Sequence, residues 1–201
     1  MPLLIALASL SLSRSGLPAA AQILVSCQKA YDSVRTFEQD VTSGSGGMKG
    51  SAHISFSRPG NLRAGGQSLF GQKYDLIVKG NSASVYNIGS WSDGQTAEMG
   101  LATVTGLSGM APTPVSAFLL HTKWGALASD ADVHYKVSRD KVGGTDTFRL
   151  DADKPWKTSI WIDKKTYFLV KTKIHIMNSE VGILCSPPKV NQPIPASRFK
   201  R

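Results

Sequence analysis

Apolar and polar positions alternate most regularly along residues 145–176. Phe148 and Leu150 are interleaved with Thr147, Arg149 and Asp151, the two-residue period of a half-buried strand. Trp156, Thr158, Ile160 and Ile162 carry the pattern on at even positions, and after Asp163-Lys164-Lys165-Thr166 it resumes with Phe168, Val170, Thr172, Ile174 and Ile176. Tyr167, Lys171, Lys173 and His175 take the other face. Two alternating runs meet across a short polar segment whose aspartate can bond the backbone two residues on, so a tight antiparallel hairpin is predicted. The sheet it belongs to has one apolar and one wetter face.

Before this hairpin the period changes more than once. Ala20, Leu24, Cys27, Tyr31 and Val34 recur at spacings of four and three, which predicts one amphipathic helix. Strands follow over residues 37–43 and 51–57, joined by Gly44-Ser45-Gly46-Gly47, with Ala52, Ile54 and Phe56 alternating with serines and His53. Arg58-Pro59-Gly60-Asn61 breaks the chain before Leu62-Arg63-Ala64, because proline fixes its own φ and glycine accepts a positive one. Tyr74, Leu76 and Val78 form another strand, and residues 83–88 pair back beyond Gly80-Asn81-Ser82. The result is a meander.

Between residues 91 and 132 the alternation stops. Met99, Leu101, Val104, Leu107 and Met110 lie among Gly94, Gly100, Gly106 and Gly109, a mixture of adaptable side chains and weak helix formers that suits a mobile insert. Thr113 can cap a short helix with Pro114 at its first position, and Val115, Phe118 and Leu119 then share a face as far as Gly125. Strands resume at residues 133–141 and turn at Gly143-Gly144. The predicted fold class is α+β, mostly antiparallel β, in a single domain over residues 22–201.

Composition adds compartment and charge. A net charge of +9 favours anionic partners in general, but the cations are scattered singly along strands, so a solvated basic surface is expected and no nucleic acid partner. Residues 3–12 form an apolar run of signal-peptide length followed by Pro18-Ala19-Ala20-Ala21, although no Lys or Arg precedes it. Residues 1–21 are therefore read as a signal peptide and the protein as exported, with a buried helix as the other reading. Leu24-Val25-Ser26-Cys27 fits the short pattern before a lipid-modified cysteine, which would anchor the chain to a membrane through Cys27. Burial of Cys27 as a free thiol and a disulfide to Cys185 are the two alternatives. The histidines, His53, His121, His134 and His175, show no metal-ligand spacing, and no nucleophile or phosphate-loop motif is present. Asp151-Ala152-Asp153 reads as a loop between strands. No enzyme activity, metal or cofactor is expected.

Several of these segments resemble the LolA/LolB-like superfamily of bacterial lipoprotein-sorting proteins. Residues 20–37 are similar to its leading helix, and Ile54-Ser55-Phe56-Ser57-Arg58-Pro59-Gly60-Asn61-Leu62-Arg63 resembles its strand, Arg-Pro-Gly turn and next strand. Trp161-Ile162-Asp163-Lys164-Lys165-Thr166 resembles its hairpin and Val190-Asn191-Gln192-Pro193-Ile194-Pro195-Ala196-Ser197-Arg198-Phe199 its closing motif. The resemblance implies a strongly curved, incomplete β-barrel, or half-barrel, whose concave face, under a helical lid, binds lipoprotein acyl chains or another lipid. Related proteins act as periplasmic carriers, anchored receptors or envelope sensors, so envelope membrane proteins are further expected partners and a monomer is expected; the alternative is a sensor, regulatory or structural module that binds a protein or glycan partner through the same fold. Ile54, Phe56, Leu76, Val78, Phe118, Phe148, Leu150, Ile160, Ile162, Phe168 and Val170 are the candidate ligand-lining residues. Arg58, beside the Pro-Gly turn, and Arg63 are candidate lid contacts. Against the family pattern, residues 178–189 are read as replacing a strand.

Overall fold

The computed structural model describes residues 16–122, 133–154, 156–176 and 178–201. The apolar segment of the expected signal peptide, and Gly125, lie outside them. The chain opens with helix α1 (Ala20–Asp32), which buries Ile23, Leu24, Cys27 and Tyr31, the stripe anticipated from spacing with Ile23 added. The Gln22 side chain accepts from the Ala19 N–H at 3.1 Å and so satisfies a backbone group at the helix start. Strands β1 (Thr36–Ser45) and β2 (Met48–Ser57) are joined at Gly46-Gly47, both with positive φ. The two glycines supply the left-handed pair that a two-residue hairpin needs.

Strands β3 (Asn61–Gln67), β4 (Lys73–Lys79), β5 (Ser82–Asn87) and β6 (Ser90–Thr96) extend the meander. β6 is an addition to the sequence reading, since its own pattern, Ser-Trp-Ser-Asp-Gly-Gln-Thr, carries little apolar signal. After the helices come β7 (Lys136–Val142), β8 (Thr145–Ala152), β9 (Thr158–Asp163), β10 (Leu169–Ile176), β11 (Ser179–Cys185) and the short β12 (Lys189–Val190). All described pairings are antiparallel, in the order β6-β5-β4-β3-β2-β1-β11-β10-β9-β8-β7, with β12 beside β1. The sheet is an open half-barrel: its ends, β6 and β7, are not joined.

The hairpin at Asp163 forms as predicted. Its Oδ1 accepts from Lys165 N at 2.6 Å and Thr166 N at 3.1 Å, the Asx turn the sequence offered. Several expectations need correcting. Trp156 precedes β9 and is 55% exposed, so it does not join the inward row. A register shift between Leu169 and Lys171 inserts an extra residue, which puts Leu169 opposite Ile162 and leaves Val170 half-buried outside that row. Residues 178–189 do supply a strand: β11 buries Val181, Ile183 and Cys185 and stitches β10 to β1. Asp151 and Ala152 remain within β8, so only Asp153 of that trio begins the loop.

The glycine-rich insert is helical. α2 (Ala97–Ser108) starts at Thr96, whose Oγ1 accepts from Met99 N at 3.2 Å, and stops at Gly109 in the left-handed region with φ 59°. α3 (Thr113–Leu120) follows, N-capped at Pro112 rather than Thr113, and ends at His121, not at Gly125. Glycine lowers helix propensity, but at Gly100 space explains it. A β-carbon there would lie 2.6 Å from the Ala83 Cβ and 2.9 Å from Leu76 Cδ1, so the bare position lets α2 lie directly on β4 and β5. Replacing Gly100 with Val forces this seat open; urea unfolding is expected to show a loss of about 1–3 kcal/mol, and unchanged stability would mean that α2 does not press on the sheet.

Candidate functional site

The face of the sheet that the helices cover is the candidate site. β2 contributes Ile54 and Phe56, β4 contributes Leu76 and Val78, and β8 and β9 contribute Phe148, Leu150, Ile160 and Ile162. All eight are buried in one continuous apolar cluster that also takes in Phe168, with Phe118 packed against it. Of the proposed lining residues, Val170 alone stands outside this cluster, displaced by the register shift in β10.

At the centre stand four rings. Tyr31 of α1 stacks on Phe118 of α3 at 5.1 Å between centroids and 6° between planes, and meets Phe168 edge-on at 5.0 Å. Phe37 of β1 closes the group at 5.7 Å from Tyr31 and 5.8 Å from Phe168. The Tyr31 hydroxyl accepts from the Leu169 N–H at 3.3 Å, giving its one polar atom a partner in an apolar surrounding. Burial pushes the Tyr31 phenol well up, with Cys27 and Cys185 adding to the effect, so it stays neutral. Tyr31 and Phe37 were legible only as members of a helix stripe and a strand, not as a meeting point.

Polar contacts tie the helices down at a few points. Ser43 on β1 donates to the Ser108 carbonyl at 2.6 Å at the end of α2, and Gly50 makes room for that carbonyl, which a β-carbon would approach to 2.5 Å. The Leu69 N–H donates to Leu107 O at 3.2 Å. α3 is held to α1 by Gln28, whose Nε2 donates to the Phe118 carbonyl at 3.1 Å, and His121 Nε2 lies 3.1 Å from Asp32 Oδ1. Three deeply buried side-chain atoms of this interior, Gln39 Oε1, Ser116 Oγ and Thr172 Oγ1, lack a protein partner among the described residues.

The two arginines part company. Arg58 reaches the last turn of α1, donating to Val34 O at 3.3 Å, Tyr31 O at 3.2 Å and Asp32 O at 3.4 Å, with its guanidinium 5.0 Å over the Phe56 ring. It satisfies terminal carbonyls and adds a cation where the helix dipole is negative. Arg63 is not a lid contact. It lies on the outer face, forked onto Asp75 and donating to the carbonyls of Arg198 and Lys200 at 3.1 and 3.0 Å, because alternation along β3 turns Leu62 and Ala64 inward and Arg63 out.

Cys27 and Cys185 are both free and buried. Burial alone raises both thiols, Cys185 to about 12 and Cys27 further, so neither is a thiolate at neutral pH. The disulfide is absent. Cys27 sits at mid-helix facing the sheet, and a diacylglyceryl group on it would require α1 to be cut before Cys27 and its inward stripe lost. Among the described residues no three His, Cys, Asp or Glu side chains gather as a metal site.

This arrangement, an open antiparallel half-barrel closed on its inner face by helices, defines the class. No protein-family model and no curated protein matches the chain. Solved structures do. The lipoprotein LppX of Mycobacterium tuberculosis superposes with a TM-score of 0.52 at 14% identity, over 88% of this chain and 97% of that one. A conserved protein from Thermus thermophilus reaches 0.60 at 8% identity, over 90% and 93%. A chain of the Pseudomonas aeruginosa MucA/MucB complex gives 0.55 at 12% identity, over 90% of this chain and 60% of that one. At these identities the likeness is one of fold alone.

The Arg58 contacts generate a measurable consequence. Arg58→Ala removes three donor contacts from the carbonyls at the end of α1, and chemical unfolding is expected to show a loss of about 1–2 kcal/mol. Arg58→Lys should recover less than half, because a single ammonium does not span three carbonyls; full recovery would reduce the role to charge.

Proposed function

We propose that the protein is an exported, non-catalytic binder of acyl chains, carrying a lipid or the lipid of a lipoprotein in its helix-covered interior. The observation that carries this reading is the continuous apolar face running from β4 across to β9, which Leu101, Val104, Val115 and Leu119 of the covering helices complete and to which a handful of polar ties hold those helices. A carrier must shield chains worth about 0.8 kcal/mol per methylene from water and still release them, so its cover has to move without unfolding the sheet. We assign that role to α2 and α3, which take no part in the strand pairing. Displacing them leaves the strand ladder intact.

Gln39 Oε1, Ser116 Oγ and Thr172 Oγ1 refine the ligand. Polar atoms held without partners in an apolar interior are costly; an ester or amide carbonyl beside the chains accepts from the Ser116 and Thr172 hydroxyls, and an amide N–H or an ordered water donates to Gln39 Oε1. This favours an acyl lipid over a bare hydrocarbon. Ile54, Phe56, Leu76, Val78, Phe118, Phe148, Leu150, Ile160, Ile162 and Phe168 remain the proposed lining, with Leu169 and Phe37 added and Val170 set at the margin. Export follows from the apolar segment and small residues that precede α1, which makes the periplasm the proposed compartment. The free, buried Cys27 argues for a soluble carrier rather than one anchored at that residue. A second reading, a module that recruits an envelope protein through the same fold, is supported by the fold likeness to a chain of the MucA/MucB complex.

The test combines native mass spectrometry of protein expressed with its own leader and titration with a fluorescent fatty acid. Copurifying acyl ligand and saturable probe binding are expected. Phe118→Asp and Phe168→Asp should each weaken binding by at least tenfold, while Phe70→Asp, at an exposed loop position, leaves it unchanged. Wild-type affinity in both inner variants would sink the pocket assignment. A ligand-free protein that captures no probe would favour the partner-binding module.

A further inference from the structure

The outer face of the sheet carries a groove that the acyl-binding reading leaves unused. Its volume is about 660 Å³, within the range of small-molecule clefts. Strand register builds it. His53, Gly65, Asp75, Tyr86 and Trp91 stand directly opposite one another on β2, β3, β4, β5 and β6. Neighbouring strands are about 4.8 Å apart, so His53 and Asp75 face each other across bare Gly65 over roughly 10 Å. Space, not backbone strain, keeps the position bare. Gly65 has no positive φ, and a β-carbon there would come within 2.9 Å of Asp75 Oδ1.

Each side of the trough has a distinct chemistry. On one side Tyr86 and Trp91 pack at 5.5 Å with 53° between their planes, and Arg201 stacks 4.7 Å over the indole while bonding Ser84 and Asp93. The indole is thus held in place as a wall. On the other side His53 is fixed by Asp40, with 2.7 Å between Nδ1 and Oδ1, and Arg198 lies 3.8 Å from Glu38. Between them Asp75 takes the fork of Arg63, whose remaining nitrogen donates to the Arg198 and Lys200 carbonyls.

Charge then selects the ligand. The carboxylates of Glu38, Asp40, Asp75 and Asp93 are each within ion-pair distance of a basic group. Arg63 has its guanidinium committed to Asp75 and two carbonyls, so it has little left for a phosphate or carboxylate, which would demand a free fork. Lys73 is the one lining cation without an ion pair among the described residues, and a lone ammonium offers an anion a point charge and no fork. A neutral ligand with many hydroxyls finds more partners: Arg63 fills Asp75 Oδ2 and half of Oδ1, leaving Oδ1 a lone pair for an O–H group, Gln67 at the rim offers both a donor and an acceptor, and an indole wall accepts the C–H face of a ring. We infer that this outer groove binds a neutral saccharide, one or two pyranose rings long, independently of any lipid inside the half-barrel.

Titration of the ¹⁵N-labelled full chain with chitotriose, cellotriose and maltotriose tests this, reading the Gly65 amide and the Trp91 indole N–H. At least one sugar is expected to shift both signals saturably below about 10 mM, the weak end of specific binding. Trp91→Ala should weaken it about tenfold, as loss of one stacking partner does, and Gly65→Val should abolish it by filling the floor. Fluorescent fatty acid binding serves as the control for folding, and Phe118→Asp should leave sugar binding untouched. No saturable shift with any of the three sugars overturns the inference, as does binding indifferent to both Trp91→Ala and Gly65→Val. Tighter binding of inorganic phosphate or of a uronic acid at the same signals overturns its neutral specificity.

Discussion

An open antiparallel sheet with one apolar face has to cover that face, and here the cover is anchored on a single phenol ring. Tyr31 touches α3 through Phe118, the β9–β10 connection through Phe168, β1 through Phe37, and the backbone of Leu169 through its hydroxyl. Remove it and the first helix, the third helix and the far arm of the sheet lose their common contact. Arg58 acts on the same helix one turn further on, so the end of α1 is fixed from inside by a ring and from outside by a guanidinium.

The other half of the cover combines closeness with bulk. α2 offers Gly100 to Ala83 and Leu76, and takes the Ser43 hydroxyl on its terminal carbonyl where Gly50 leaves space. Close approach at those small residues lets Leu101 and Val104, both fully buried, reach into the apolar cluster of the sheet, so the helix is held by fit and by apolar mass together.

Much of this is readable from the chain alone, for definite reasons. β2, β8 and β9 alternate cleanly because one face is buried and one is wet, and α1 shows its stripe because only one side meets the sheet. β11 is equally legible, with Val181, Ile183 and Cys185 at every second position; only the overlay of a family pattern hides it. The shift at Leu169–Lys171 is not legible. Phe168, Val170 and Thr172 continue the arithmetic of alternation, and only pairing with β9 reveals that one residue is extra. α2 escapes a sequence reading because propensity counts Gly100 and Gly106 against a helix while contact with the sheet rewards the first of them.

The outer groove is invisible in the sequence for a related reason. His53, Gly65, Asp75, Tyr86 and Trp91 are scattered over about forty positions, and only the register of five strands puts them in line. That same register decides what faces inward, since moving any strand by one residue would exchange its two faces. Leu76 and Val78 lie inward because Asp75 lies outward on the same strand. The interior and the groove are therefore two readings of one ladder, and their chemistries divide cleanly. The inner face holds few polar atoms; the outer face pairs the carboxylates of its groove and leaves a bare glycine floor.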